Sequence, residues 1–336
     1  MAQRLVRTLC DEGLLYPVHG MGTFAGRRPM LAKDVFLFLN DGVHRSNIIR
    51  HGFEERISGL GAISISLPID EAFRAWDEGL LPDIQGIWDP SFDFERLVHT
   101  GPQVPSPSVA LRGRADPNRD DTVSFDDFDG GRRATEHLMS FGMRSGVFVG
   151  IHGPDVPRGA IDWSGQRAEG FLAAMQSIGR AQAATCLVPS RVIPGADPGD
   201  PYDYFAVGFQ LAREIENFTA DSGIVAANDQ LAYGFIAGLL AQGLAPEDIP
   251  ATIGFDNRET RVGNHMSSMS LPWHDLGQLA AELLFRRASG SLTGPLVTET
   301  LPMIPIMRIS SVPGWLPKAP LLLEALRRAE PEHHLF

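Results

Sequence analysis

The sequence contains few cysteines, no long apolar run and no secretion signal. Its only two cysteines, Cys10 and Cys186, are far apart, which predicts free thiols in a reducing cytosol. No stretch approaches the ~18 apolar residues needed to cross a bilayer. Acidic residues interrupt the N-terminal segment before an apolar signal-peptide core develops. We therefore expect a cytoplasmic protein.

Catalytic and cofactor motifs are also missing. The sequence has no G-x-S-x-G elbow, no H-E-x-x-H pair and no phosphate-binding loop. The segment GMGTFA at 20–25 has dinucleotide-fingerprint spacing, but the GRRP that follows it does not open the helix that this fingerprint requires. The acidic run at 116–121 has no glycine at the sixth position of a calcium loop. We expect no catalysis, no cofactor and no metal.

Charge is distributed unevenly along the chain. The net charge of −12 argues against a nucleic-acid-binding protein as a whole. The first 33 residues, however, carry five basic and two acidic residues. A short basic head on an acidic body is the asymmetry expected when only one end of a protein meets phosphate.

Strand and helix patterns alternate after residue 34, which predicts parallel, doubly wound sheets. The apolar strand candidates are 35–39, 63–67, 86–88, 147–151, 223–227 and 252–255. The helix candidates are 48–58, 131–141, 166–178, 204–216, 230–242, 276–288 and 321–328. Residues 101–124 are rich in proline, glycine and aspartate and are interpreted as a loop.

Polar side chains follow two of the predicted strands. Asn228-Asp229 comes directly after strand 223–227, and Asp256-Asn257 comes after strand 252–255. Ligands of parallel sheets bind outside the carboxyl ends of the strands, where carboxylates and amides suit the hydroxyls of a sugar. Equally, Asn228 and Asp256 could simply cap the segments that follow them. The chemistry alone leaves both interpretations open.

Four segments resemble the effector-binding core of lactose/galactose-repressor regulators. They are DGGRRATEHL at 129–138 with Gly142, SGQRAEGF at 164–171, AANDQLAYG at 226–234 with PEDI at 246–249 and IGFDN at 253–257, and GQLAAELL at 277–284. Each segment is modest alone, but their order and spacing are specific. They are similar to the family's D-G-x-x-A-x-x-H-L, R-x-x-G-F and A-N-D…G-(F/Y)-D motifs.

This resemblance implies a two-lobed, periplasmic-binding-protein-like type I fold with two doubly wound α/β sheets joined by hinge crossovers. The effector-binding domain would span 34–313, after a partial winged helix (1–28) and a linker (29–33) and before a tail (314–336). Its N-lobe would comprise about 34–145 and 272–292. Its C-lobe would comprise about 146–271 and 293–313. The effector is expected in the cleft between the lobes.

The resemblance also implies which residues contact the effector. The family's effector-binding arginine and aspartates match Arg167, Asp129 and Asp256, and Asn228 occupies the N-D position. An aromatic ring is expected from Tyr202 or Tyr204. The first loop departs from the family's N-P-(F/Y)-F pattern, so its candidate contacts are Asp41, His44 and Arg45.

The head resembles the last helix and the wing of a GntR-type winged helix, as in arabinose-repressor-like regulators. The matching stretches are RLVRTL at 4–9, EGLLY at 12–16 and HGMGTF at 19–24. The earlier helices of that module are not in the sequence, so either it starts upstream or operator binding has been lost. The DNA-contacting residues implied are Gln3, Arg4, Arg7, His19, Gly20, Gly22 and Thr23.

Together these patterns predict a sugar-responsive transcription regulator, more specifically a repressor, that acts as a homodimer on operator DNA. The alternatives are a transport-type solute-binding protein and an orphan cytosolic sugar sensor without operator binding. An enzyme on the same architecture is disfavoured because no catalytic set is present.

Overall fold

The computed structural model describes residues 15–18, 22–25, 34–40, 44–78, 84–89, 107–111, 120–151, 163–190, 203–215 and 221–329. Fourteen strands lie within these ranges. They are β1 (Leu15–Val18), β2 (Gly22–Ala25), β3 (Val35–Asn40), β4 (Ile63–Pro68), β5 (Ile84–Asp89), β6 (Ser108–Leu111), β7 (Asp121–Phe125), β8 (Ser145–Val149), β9 (Ala184–Leu187), β10 (Ser222–Ala226), β11 (Ala251–Phe255), β12 (Ser267–Ser270), β13 (Thr298–Leu301) and β14 (Ile304–Ile306).

Eight α-helices lie in the same part of the chain. They are α1 (His44–Gly59), α2 (Ile69–Asp77), α3 (Asp127–Ser140), α4 (Trp163–Ser177), α5 (Tyr204–Leu211), α6 (Asp229–Ala241), α7 (Trp273–Ala288) and α8 (Pro320–Arg328). None of these described helices is both long and apolar enough to cross a membrane.

Two six-stranded sheets organise the fold. One has the strand order β13-β7-β6-β5-β3-β4, and the pairs that join β3, β4, β5, β6 and β7 are all parallel. The other has the order β14-β12-β11-β10-β8-β9, in which only the β12–β14 pair is antiparallel. The predicted α/β class with two doubly wound sheets is therefore confirmed.

The chain forms two compact units. The first comprises residues 1–111, 115–123 and 273–299, and the second comprises residues 112–114, 124–272 and 300–336. Helix α3 and strand β8 thus both pack in the second unit, where α3 lies against α4 and its buried face is covered by elements that follow it. The lobe boundaries that the resemblance implies stay a prediction.

The segment interpreted as a wing contains a hairpin, since β1 and β2 pair antiparallel with Leu15 opposite Ala25; that the hairpin is a wing stays a prediction. The expected helix before it lies outside the described residues.

An aromatic cluster forms the centre of the first unit. The rings of Phe38, Phe53 and Trp88 are buried, with centroid separations of 5.5–5.7 Å. They come from β3, α1 and β5, so the cluster holds the parallel sheet against α1. Leu37 and Leu39, which alternate with Phe38 along β3, face a second group of buried apolar side chains.

Residues 101–124 do not form one loop, because strand β6 and all but the last residue of β7 lie within them. The prediction was wrong here because Asp121, a charged residue, lies in a buried strand. Its carboxylate accepts bonds from Arg287 Nε at 2.7 Å and from a terminal nitrogen of Arg287 at 2.8 Å. The Val297 amide donates a third at 2.7 Å. A fully paired carboxylate can be buried in this way.

Helices α3 and α4 pack closely in the second unit because each presents a glycine to the other. A β-carbon at Gly131 would overlap the carbonyl of Arg167, and one at Gly170 would overlap the carbonyl of Phe128. The two contacts are reciprocal, so they fix both the separation and the register of the helices. This positions the Arg167 backbone beside the first turns of α3.

We predict that Gly170→Ala lowers the free energy of unfolding by about 1–3 kcal/mol, because the added methyl group forces the two helices apart. Urea denaturation followed by circular dichroism measures the change. Gly59→Ala is the matched control, since a β-carbon at this last residue of α1 would meet nothing within 4 Å. Equal losses in the two variants would contradict the close-packing argument.

Candidate functional site

The predicted polar side chains lie at one edge of the second unit's sheet. Strands β10 and β11 are parallel neighbours, with Ile224 opposite Thr252. Their carboxyl ends therefore lie side by side, and Asn228-Asp229 and Asp256-Asn257 follow at that edge. The sequence-based placement of these groups is confirmed.

Arg167 lies on α4 and is almost entirely buried, at 2% exposure. Its Nε and one terminal nitrogen both lie 2.8 Å from Oδ1 of Asp127. The other terminal nitrogen donates to the carbonyl oxygen of Ala227, at the end of β10, at 2.6 Å. A buried guanidinium is tolerated when it is paired in this way, and its planar geometry keeps each donor in a fixed direction.

Aromatic rings pack against both the guanidinium and its neighbours. The Arg167 guanidinium carbon lies 4.8 Å from the centroid of the Trp163 ring and 4.3 Å from that of Phe255. The Tyr204 ring meets Trp163 edge-on, with centroids 6.2 Å apart. Trp163 and Tyr204 are only half-buried, so this part of the site presents aromatic surface beside a fixed cation.

Asp127, which sequence reasoning missed, is the carboxylate that pairs with Arg167. It is the first residue of α3, directly after Asp126, whose side chain caps the helix by accepting from the Asp129 amide at 2.9 Å. Burial raises the pKa of Asp127, and the Arg167 guanidinium opposes that rise. The consecutive aspartates at 126 and 127 were the available signal, but a helix cap alone explains only one of them.

Asp129 faces a different set of charges. Its carboxylate pairs with Arg132, one turn along the same helix, and its second oxygen lies 3.8 Å from Arg133. The resemblance points to Asp129 as an effector contact, whereas the carboxylate that accepts from Arg167 is that of Asp127. The two residues are half a turn apart on α3 and therefore point in different directions.

Asn228 is a helix cap in this structure. Its side-chain oxygen accepts from the Leu231 amide at 2.8 Å, and its backbone is extended, as the residue before a helix usually is. Asp229, the next residue, is buried at 2% exposure. Burial raises its pKa well above the usual range, with a further rise from the nearby Asp256 carboxylate.

Asp256 is exposed and has a strained backbone. Its φ of 90° and the φ of 52° at Asn257 both lie in the left-handed region that favours glycine. Such strain persists only where surrounding contacts impose it, and it concentrates at functional sites. The Asp256 charge raises the pKa of Asp127 as well as that of Asp229.

The remaining predicted residues lie largely outside the described part of the chain. His44 and Arg45 begin α1, but their side chains are outside it, as are Asp41 and Tyr202. Of the DNA-contact candidates, Gln3, Arg4, Arg7, His19 and Gly20 lie outside. Gly22 and Thr23 belong to β2, where only the backbone is described. Among the described residues, no cluster of three or more histidine, cysteine or acidic side chains could hold a metal ion.

A family model for the periplasmic binding protein-like domain matches residues 135–311, more than half of the chain. The chain belongs to this periplasmic binding protein-like family. The matched segment begins in α3 and includes Arg167, Asn228 and Asp256, so the described edge of the sheet lies within the family's domain. A search of curated proteins gives no match to the chain.

Solved structures of this periplasmic binding protein-like fold include several transcription regulators. A LacI family regulator from Enterococcus faecium with bound ribose is 22% identical, with 84% of this chain and 99% of that chain covered and a TM-score of 0.57. The transcriptional regulator CelR in complex with cellobiose is 19% identical, with coverages of 92% and 90% and a TM-score of 0.58. A LacI family regulatory protein from Chloroflexus aggregans is 19% identical, with coverages of 83% and 99% and a TM-score of 0.58. At these identities the likeness concerns the fold.

We predict that Arg167→Met costs about 3–5 kcal/mol of stability, because it leaves Asp127 buried without its partner. The double variant Arg167→Met/Asp127→Leu should recover part of that loss by removing both charges. Urea denaturation of both variants measures the difference.

Arg132→Met is the matched control, because this arginine makes exposed ion pairs on α3 and should cost about 1 kcal/mol or less. Equal stability of the Arg167→Met variant and the double variant would contradict the argument that an unpaired, buried Asp127 causes the loss.

Proposed function

We propose that the chain is a ligand-responsive transcription regulator whose effector is a sugar or a related small polyol. The observation that carries the proposal is the group of Arg167, Trp163, Tyr204 and Asp256 at the carboxyl edge of the second sheet. Aromatic faces pack on the apolar face of a sugar ring, carboxylates accept bonds from its hydroxyls, and a guanidinium donates to them. Such sites combine apolar lining with a few fixed polar groups.

The ligands of structural neighbours support this chemistry. Ribose is bound to the Enterococcus faecium regulator, and also to a LacI family regulator from Enterococcus faecalis V583 that is 23% identical with a TM-score of 0.56. Cellobiose is bound to CelR. These proteins are regulators rather than enzymes, which favours the same role here.

We propose effector contacts for the residues predicted from the sequence and for two residues added by the structure. The added residues are Asp127 and Trp163, because one fixes the guanidinium of Arg167 and the other stacks on it. The earlier candidates stay proposals: Arg167, Asp129, Asp256, Asn228, Tyr204, Asp41, His44, Arg45 and Tyr202. Asn228 would act mainly by capping α6, since its oxygen is already committed there.

We predict that D-ribose or cellobiose raises the melting temperature of the protein. A ligand at about 100 times its Kd adds about 2.7 kcal/mol to stability. Asp256→Asn should weaken binding roughly tenfold or more, because it removes a charged hydrogen-bond acceptor. Differential scanning fluorimetry with a panel of neutral sugars checks both expectations.

Asp248→Asn is the matched control, because the substitution removes the same charge from an exposed aspartate in the turn Pro246–Asp248. It should leave the sugar-induced rise unchanged. A panel in which no neutral sugar moves the melting temperature would count against a sugar effector.

We propose that the basic head contacts operator DNA and that the regulator is a repressor. The contact candidates are Gln3, Arg4, Arg7, His19, Gly20, Gly22 and Thr23. Support comes from the five basic residues among the first 33 in a chain whose net charge is −12. Because the first 33 residues have a net charge of +3 and the rest of the chain therefore −12 − 3 = −15, contact with phosphates should favour the head. Effector control then requires that the sugar bind the DNA-bound and free forms with different affinities.

We predict a homodimer in solution, because operator recognition by regulators of this kind uses two half-sites related by protein symmetry. Light scattering at micromolar concentration should give twice the 36.6 kDa mass of one chain. A monomer at micromolar concentration would contradict binding to an operator with two half-sites as a dimer.

A further inference from the structure

Three successive backbone amides after β11 are each bound to a fixed acceptor. The Asp256 amide donates to the Met269 carbonyl at 3.1 Å. The Asn257 amide donates to the Ser268 hydroxyl at 2.8 Å, and the Arg258 amide donates to Oδ2 of Asp229 at 2.8 Å. The segment 256–258, which we call the Asp256 turn, is thus held at every residue.

Two of these acceptors form a buried relay. The Ser268 hydroxyl accepts from Asn257 and itself donates to Oδ2 of Asp229 at 3.2 Å. Ser268 is fully buried and Asp229 nearly so. Because a serine hydroxyl has a single proton, its bond to Asp229 orients its lone pairs toward the amide of Asn257. Asp229 therefore acts on the turn twice, directly at Arg258 and through Ser268 at Asn257.

The position of Asp229 depends on a glycine in the neighbouring strand. A β-carbon at Gly254 would overlap Oδ1 of Asp229. Among the described residues, this Oδ1 is buried without a hydrogen-bond partner, whereas Oδ2 accepts from both Arg258 and Ser268. Burial raises the pKa of Asp229, and its hydrogen bonds with Arg258 and Ser268 oppose that rise.

A second brace comes from the far side of the turn. Arg308 donates to the side-chain oxygen of Asn257 at 2.6 Å and to the Met266 carbonyl at 2.7 Å. The turn needs such bracing because Asp256 and Asn257 both have positive φ. Without it, both residues would relax toward negative φ and the Asp256 carboxylate would point elsewhere.

We infer that Asp229 and Ser268 are positioning residues that hold the Asp256 turn in its left-handed conformation and so aim the Asp256 carboxylate at the ligand. The inference rests on the proposed function in one respect, that Asp256 contacts the ligand. The claim that Asp229 and Ser268 hold the turn does not depend on any ligand.

The ligand-free test measures amide hydrogen exchange in 256–258 for the full chain. Ser268→Ala should speed exchange there roughly tenfold, the change expected from losing one buried hydrogen bond. Asp229→Ala should speed it at least as much, because it removes the acceptor of both the Arg258 amide and the Ser268 hydroxyl. Asp229→Asn should keep exchange as slow as in the parent, because the side-chain amide oxygen of the asparagine still accepts from Arg258 and Ser268. Unchanged exchange in Ser268→Ala, a smaller change that is less prone to unfold the protein, would overturn the inference.

Thr252→Val is the matched control. Thr252 is a buried β-branched residue on β11 whose hydroxyl bonds to the Pro250 carbonyl, away from the turn. It should lose stability comparably to Ser268→Ala and leave exchange in 256–258 as in the parent. Equal acceleration in both variants would show a general loss of stability instead of a specific brace.

The ligand test titrates D-ribose by calorimetry in a double-mutant cycle. Ser268→Ala should weaken binding roughly tenfold in the parent and have no effect once Asp256→Ala is present, because the residue that it aims is gone. An equal loss in both backgrounds would overturn positioning through Asp256. If D-ribose does not bind the parent, the ribose form of the proposed function fails, and the exchange experiment alone decides whether the relay holds the turn.

Discussion

The burial of one guanidinium constrains how α3, α4 and the ends of β10 and β11 meet in the second unit. A charge removed from water must be paired and hydrogen-bonded, or its desolvation outweighs what the fold gains. Arg167 meets this condition only because the start of α3, the end of β10 and the ring of Phe255 at the end of β11 converge on it. The glycine contacts between α3 and α4 bring Asp127 within reach of Arg167, so the packing of the two helices determines the geometry of the site.

The two polar motifs at the sheet edge are also physically coupled. Asp229 follows β10, Asp256 follows β11, and the strands are parallel neighbours. Gly254, one residue before the end of β11, leaves the space that Asp229 occupies. A motif that looks like two separate polar turns in the sequence is therefore a single unit, in which the acid after one strand shapes the turn after the next.

The acids around this unit give it an uneven electrostatic character. Burial raises the pKa of Asp127 and of Asp229, and the Asp256 carboxylate adds to both shifts. Arg167 is already engaged by Asp127 and by a carbonyl, so its charge is largely matched within the protein. The positive charge at this edge is not limited to Arg167, because Arg308 bonds to Asn257 and opposes the rise in the pKa of Asp229.

The sequence by itself determined the α/β alternation, the two-sheet class and the placement of Asp256 and Asn228 at strand ends, because local hydrophobic periods and strand-end polar residues carry that information. It did not reveal β6 and β7, which are short strands, and β7 begins with Asp121, a charge that is buried because Arg287 of α7, 166 residues away in sequence, pairs with it. The sequence also did not indicate which aspartate in the first turn of α3 pairs with Arg167. That choice depends on how α4 docks against α3, and only tertiary packing fixes the direction from which the guanidinium arrives.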